Sequence, residues 1–143
     1  MDILINAAGI SNTNVLPRIK PSDISLTLRT NLEGAIATSR VMLRSLILRR
    51  TANTTATTND EGAKRSRCII NISSLLAHKG GTGVVPYAAS KAGLLGLTRS
   101  LAVEAAALLK DKGVMVRSNV IVPGYIETPM IAGEIFIILF EAS

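Results

Sequence analysis

Cys68-Ile69-Ile70-Asn71-Ile72-Ser73-Ser74, then Tyr87-Ala88-Ala89-Ser90-Lys91, then the run from Val114 to Val122 together decide the fold. The first piece is short, apolar and rich in isoleucine, so it reads as a buried strand that stops at a pair of serines. From Tyr87 to Lys110 the chain is dominated by Ala and Leu, which favour helix, and Gly113 lies where that helix should stop. Val114 to Val122 is a second β-branched strand, closed by Pro123-Gly124. A long helix between two strands carries the chain back across a sheet, so the strands pair in parallel.

The same alternation extends upstream. Ile3 to Asn6 reads as a strand ending in the small-residue turn Ala7-Ala8-Gly9. Pro17 and Pro21 punctuate a loop, Ser22 or Asp23 suits a helix N-cap, and Leu28, Leu32, Ala35, Met42 and Leu46 recur at helical spacing. Gly34, inside that helix, permits close packing or a bend. The expected architecture is α/β: a partial doubly wound parallel sheet of about three strands with two long helices. Residues 51–67 are polar and low in complexity, and read as a flexible surface insertion. Residues 131–143 form an apolar tail that fits no clear element.

Composition agrees with one α/β domain. The chain has 143 residues, 48% of them hydrophobic, which excludes a disordered chain. Aromatics are only 3% and Trp is absent, so aliphatic side chains must build the core, as in a sheet covered by helices. The net charge of +6 is scattered over residues such as Arg18, Lys20, Arg29, Arg40, Arg44, Arg49, Arg50, Lys64, Arg65 and Arg67. No aromatics interleave with these charges to stack bases, so nucleic acid is not an expected partner. Cys68 is the single cysteine and lies in an apolar run, which reads as a buried strand thiol. His78 is the single histidine and has no Cys or carboxylate cluster around it in sequence, so no metal site is expected. No basic segment leads into an apolar one near Met1, which argues against secretion. The apolar run Ile135 to Phe140 is too short to span a bilayer, and no membrane partner is expected.

The chemistry sits at two strand and helix ends. Tyr87 and Lys91 are four residues apart, hence on one helix face. A free phenol is too weak an acid for proton transfer near neutral pH, and an ammonium one turn away favours its ionised form. That pair makes sense as a general acid/base. Ser74 ends a strand, and in open α/β sheets ligands bind beyond the carboxyl ends of the strands. A hydroxyl there can donate to a developing alkoxide. Gly80-Gly81-Thr82-Gly83 precedes the Tyr87 helix and lacks the glycine spacing of a dinucleotide fingerprint, so it reads as a flexible loop by the substrate entrance.

Five motifs then stand together in order: Asn6-Ala7-Ala8-Gly9, Asn31 within Thr-Asn-Leu-Glu-Gly, Ile72-Ser73-Ser74, Tyr87-Ala88-Ala89-Ser90-Lys91, and the segment from Asn119 through Pro123-Gly124-Tyr125-Ile126-Glu127 to Thr128. Their order and separations resemble the short-chain dehydrogenase/reductase family over residues 2 to about 130, nearest to its 3-oxoacyl-acyl-carrier-protein reductases and carbonyl reductases. The resemblance implies a Rossmann-like sheet and an oxidoreductase that moves hydride between NADP(H), rather than NAD(H), and a carbonyl or alcohol.

By position, the resemblance implies that Tyr87 exchanges a proton with the substrate oxygen and that Ser74 orients and polarises the carbonyl. Ser73 competes for that role, but only Ser74 has the family's separation from Tyr87. Lys91 is implied to assist Tyr87 and to bind the nicotinamide ribose, and Asn31 to bend its helix and hold a water in a proton relay. Asn6, Ala8 and Gly9 are implied to floor the cofactor site, with Pro123, Gly124, Ile126 and Thr128 flanking the nicotinamide.

The implied partners are a small-molecule or acyl-carrier-protein-bound carbonyl substrate and further subunits, in homodimers or homotetramers built on the two long helices. The family's first strand–helix units, with their Gly-rich turn, and its last strand have no counterpart in these residues. The expectation is therefore a chain truncated at both ends, cytoplasmic or mitochondrial. The competing expectation is a catalytically impaired fragment that acts through helix-mediated dimerisation.

Overall fold

The computed structural model describes residues 1–48, 65–110, 112–125 and 139–141. Three parallel strands form its sheet, as the alternating pattern predicts. Strand β1 (Ile3–Asn6) pairs with β2 (Arg65–Ile72) in the register Ile3↔Cys68 to Asn6↔Asn71. Strand β2 pairs with β3 (Val114–Val122) from Arg65↔Val114 to Ile72↔Ile121. A short fourth strand, β4 (Leu139–Glu141), adds antiparallel to the end of β3, giving the order β1-β2-β3-β4.

Three expectations are corrected by this topology. The tail was read as fitting no element, yet Leu139–Glu141 pairs with β3. Three residues are too few for a period-2 pattern to stand out, and the free edge of β3 supplies their partners. Arg65, Ser66 and Arg67, assigned to the polar insertion, belong to β2, where pairing with Val114, Met115 and Val116 outweighs their polarity. The rest of that insertion, residues 51–64, and tail residues 131–138 and 142–143 lie outside the described residues. The first long helix begins at Pro21 with Lys20 as its N-cap, rather than at Ser22 or Asp23. Proline has no N–H to satisfy and its φ is already helical, so it takes the first helical position.

That helix is α1 (Pro21–Leu28), a single π-helical turn (Arg29–Glu33), then α2 (Gly34–Leu48). The π turn inserts extra residue length, so the apolar stripe read from a uniform helical period is shifted across it. Ala35 and Met42 are buried, whereas Leu28, upstream of the turn, is exposed. Gly34 follows the π turn with ordinary helical angles. A four-residue helix α3 (Leu76–Lys79) and the long helix α4 (Val85–Leu109) complete the order. Helix α4 is long and apolar enough to cross a membrane by composition. Here its buried face packs on the sheet and carries Ser90, Lys91 and Thr98 inward.

Both long helices lie on one face of the sheet. Met42 and Leu43 of α2, Ile69 of β2, Leu101, Ala105 and Leu109 of α4, and Val116 of β3 form one apolar cluster, with Leu4 of β1 packed against it. The opposite face is more open: Ile3 is 60% exposed, Ile5 58% and Met115 47%. Among the described residues strand β1 is an edge strand, as expected. Cys68 is buried on β2 and its sulfur accepts from Asn119 Nδ2 at 3.4 Å.

The two helices meet at a notch. A Cβ built on Gly93 of α4 would stand 2.6 Å from one methyl of Leu32 and 3.1 Å from the other, so glycine is what admits this side chain. Gly93→Ala should lower thermal stability by at most about 2 kcal/mol, the cost of displacing the Leu32 methyls less the ~1 kcal/mol that alanine gains in helix propensity. Adding Leu32→Ala should return part of that loss, and strictly additive losses in calorimetry would contradict the contact.

Candidate functional site

The carboxyl ends of the parallel strands converge. Beyond β1 lie Ala7, Ala8 and Gly9, beyond β2 Ser73 and Ser74, and beyond β3 Pro123 and Gly124. Backbone bonds stitch the last two ends together: Ser73 N–H donates to Ile121 O and Leu75 N–H to Pro123 O, each at 2.8 Å. This is where ligands sit in open α/β sheets. The Gly-rich segment is tied in as well. Gly80 and Gly83 adopt φ of 68° and 79°, which glycine tolerates, and Gly83 O accepts from Asn14 N at 2.9 Å.

Lys91 is the centre of the group. Its residue is only 4% exposed, and its ammonium donates to Ile72 O at 2.8 Å. The same nitrogen lies 5.6 Å from the centre of the Tyr87 ring. Burial lowers the lysine below its usual 10.5, because the charged form loses water. Its backbone is held too, since Ser73 Oγ donates to Lys91 O at 2.8 Å. Ser73 is therefore turned inward and engaged. Ser74 is half-buried, and its hydroxyl accepts from Leu76 N at 3.2 Å. A hydroxyl can accept and donate at once, so Ser74 keeps donor capacity for a ligand.

Asn31 sits in the π turn and is 1% exposed. Its amide grips the backbone beyond Gly9 in both directions: Ile10 N donates to Oδ1 at 2.8 Å and Nδ2 donates to Ile10 O at 2.9 Å. The same Nδ2 donates to Ser90 Oγ at 3.0 Å, and Ser90 Oγ donates to Tyr87 O at 2.7 Å. Asn31 thus connects the loop after β1 to the first turn of the Tyr87 helix. Gly9 completes the floor. A Cβ there would stand 3.2 Å from Lys91 Nζ and 3.7 Å from Asn31 Oδ1.

Sequence reasoning placed Asn31, Ser74, Tyr87, Lys91, Asn6, Ala8, Gly9, Pro123 and Gly124 at this end of the sheet, and that is where they lie. Ile126 and Thr128 fall outside the described residues. Ser90 and Ile10 were missed. Ser90 lies within a quoted motif, and its position three residues after Tyr87, on the same helix face, was the available signal. Ile10 takes part through its backbone, which leaves no trace in residue type. His78 is exposed at the end of α3.

A parallel sheet thus brings together a buried lysine, a tyrosine one turn before it and a serine at a neighbouring strand end. The short chain dehydrogenase family model matches residues 1–134, and the chain belongs to that family. It is 37% identical over 133 residues to carbonyl reductase family member 4 of Xenopus tropicalis, covering 93% of this chain and 48% of the relative. It is 35% identical over 130 residues to the 3-oxoacyl-[acyl-carrier-protein] reductase of Rattus norvegicus, covering 91% and 46%. Among solved structures, a gluconate 5-dehydrogenase from Burkholderia cenocepacia J2315 in complex with NADP and tartrate superposes with a TM-score of 0.71 at 28% identity, covering 90% of this chain and 42% of that one. The chain thus spans about half the length of the relatives it matches.

Burial of Lys91 has a measurable consequence. Between its lowered titration point and 10.5, the unfolded chain still holds a proton that the folded chain has released. Stability therefore rises with pH through that window, and the penalty is complete below it. Lys91→Met keeps the apolar stem and removes the charge. Its stability minus that of the wild type, from denaturant melts over about pH 7 to 11, should be most positive at the low end and fall as pH rises. A pH-independent difference would contradict the buried ammonium.

Proposed function

We propose that this chain carries the catalytic end of an NADP(H)-dependent reductase that converts a carbonyl to an alcohol, with a 3-oxoacyl thioester as the substrate class. The single observation that carries the reading is the buried Lys91 ammonium held between Ile72 O and the Tyr87 ring, at the strand ends where Ser74 lies. The names of the 3-oxoacyl-acyl-carrier-protein and carbonyl reductase relatives supply the substrate class. The NADP-bound gluconate 5-dehydrogenase supports the choice of dinucleotide.

The residues present suit the nicotinamide end of such a cofactor. Gly9 leaves open the space a side chain would fill beside Lys91. One of the three ammonium donors is spent on Ile72 O, and the others can meet ribose hydroxyls. Asn6, Ala8, Gly9, Tyr87, Lys91, Pro123 and Gly124, with Ile126 and Thr128, make up the binding surface in this reading. When bound, the dinucleotide supplies hydride to the carbonyl carbon.

The chain's own residues handle the oxygen. Ser74 donates a hydrogen bond to the carbonyl oxygen and fixes it beside the Tyr87 hydroxyl. Tyr87 gives its proton to that oxygen as negative charge develops there, and the C=O becomes CH–OH. In the reverse direction Tyr87 takes the proton from the alcohol. The positive charge of Lys91 stabilises the tyrosinate left behind. The Asn31 side chain is engaged with Ile10 and Ser90, and in this reading a relay water is held beside it.

Subunit association in this reading uses α2 and α4, whose outer faces expose Ile36, Val41, Leu48, Val103 and Leu108. A second reading is a catalytically impaired piece that acts through those helices alone. The open sheet face and the exposed apolar side chains of α2 and α4 favour it.

NADPH consumption with a 3-oxoacyl thioester tests the first reading directly. Tyr87→Phe should lower turnover at least about 100-fold while circular dichroism is unchanged. Equal turnover in wild type and variant would sink the role of Tyr87. A folded wild type that dimerises in size-exclusion chromatography, yet neither binds NADPH nor turns over, would establish the second reading instead.

A further inference from the structure

We propose that Asn71, together with its strand neighbour Asn6, is a positioning residue that sets the register of both site-bearing helices on the sheet. The proposal rests on the reading of Lys91 and Tyr87 as the reacting group; it assigns a task to Asn71, which that reading does not use, and a further one to Asn6.

Asn71 is 0% exposed, and a buried amide in an apolar sheet is costly unless every group is paired. Here the pairing runs outward in both directions. Asn71 Oδ1 accepts from Asn6 Nδ2 at 2.8 Å, across the β1–β2 register pair. Asn71 Nδ2 donates to Thr98 Oγ1 at 2.8 Å, and Thr98 Oγ1 donates to Leu94 O at 2.7 Å within α4. On the other side, Asn6 Nδ2 also donates to Ser39 Oγ at 3.3 Å, and Thr38 Oγ1 donates to Asn6 Oδ1 at 2.7 Å. One pair of side chains therefore grips α2 and α4 together.

The spacing gives this grip its purpose. Helix α4 is tied near the site at Lys91, through Ile72 O and Ser73 Oγ, and again seven residues later at Thr98. The other helix is tied near the site at Asn31, and again seven and eight residues later at Thr38 and Ser39. In α4 seven residues are two turns, roughly 10.5 Å along the helix. A single tie lets a helix pivot, whereas two ties on one face, two turns apart, fix both the axial position and the rotation of α4; the other helix is held at two levels on either side of its π turn. Both lower ties converge on Asn6 and Asn71. Losing the lower tie of α4 leaves Lys91 as a pivot, and its stem gains access to water.

The test reads Lys91 without substrate or dinucleotide. Lysines labelled with 13C at Cε are titrated by NMR in the whole chain, and the Lys91 signal is identified by its loss in Lys91→Arg. Thr98→Val keeps the shape of the side chain and leaves the Asn6–Asn71 bond in place. It should remain folded by circular dichroism and move the Lys91 midpoint upward, toward the ordinary 10.5, by about half a pH unit or more. Thr98→Ser retains the hydroxyl and should titrate as the wild type does. Asn71→Leu should reproduce the upward move, and the double variant should go no further, because both remove the same contact. Should Asn71→Leu fail to fold, Thr98→Val decides the matter alone. An unchanged Lys91 midpoint in folded Thr98→Val overturns the assignment. A wild-type chain that transfers no hydride overturns the catalytic reading only, and leaves this assignment standing.

Discussion

The bond from the Lys91 ammonium to Ile72 O is the interaction on which the rest of the site depends. A charge that is 4% exposed has lost most of its hydration, and the protein replaces that water with a strand-end carbonyl and the face of Tyr87. Almost every other feature of the site follows from keeping this nitrogen in place. Gly9 has no side chain because one would crowd Nζ, and Ser73 turns inward to hold the lysine backbone. Asn31 closes the third side by joining Ile10 to Ser90.

The apolar core supports this arrangement but does not specify it. Ile69, Val116, Met42 and Leu101 bring two helices onto one sheet face through area burial, which tolerates small slides. Directional polar contacts remove that freedom. They are concentrated on the carboxyl-terminal side of the sheet, from Asn6 and Asn71 up to Ile72 and Ser73, beside the proposed site. The notch at Gly93, filled by Leu32, adds a steric reference between the helices at the level of the site.

The open face of the sheet has a different meaning. Ile3, Ile5 and Met115 stand exposed on it, while the helix-covered face is close-packed. The relatives are about twice as long as this chain, and the match takes in only about half of each. The contacts that hold Lys91 and Asn31 lie within β2, α4, the π turn and the loops beside them.

The sequence by itself determined the α/β alternation, the three parallel strands and the face-sharing of Tyr87 with Lys91, because these depend on local periodicity and on spacing within one element. Membership of the short-chain dehydrogenase family was legible for the same reason, since its motifs are contiguous residue strings. Tertiary structure supplied the physical reason that Ser74 rather than Ser73 is available, since Ser73 Oγ is spent on Lys91 O. It decided the start of the long helix at Pro21, the π turn that shifts the apolar stripe, and the pairing of Leu139–Glu141, which exists only because β3 has a free edge. It also decided the polar brace through Asn6, Asn71, Ser39 and Thr98, residues far apart in the chain that meet only once the sheet and helices are assembled.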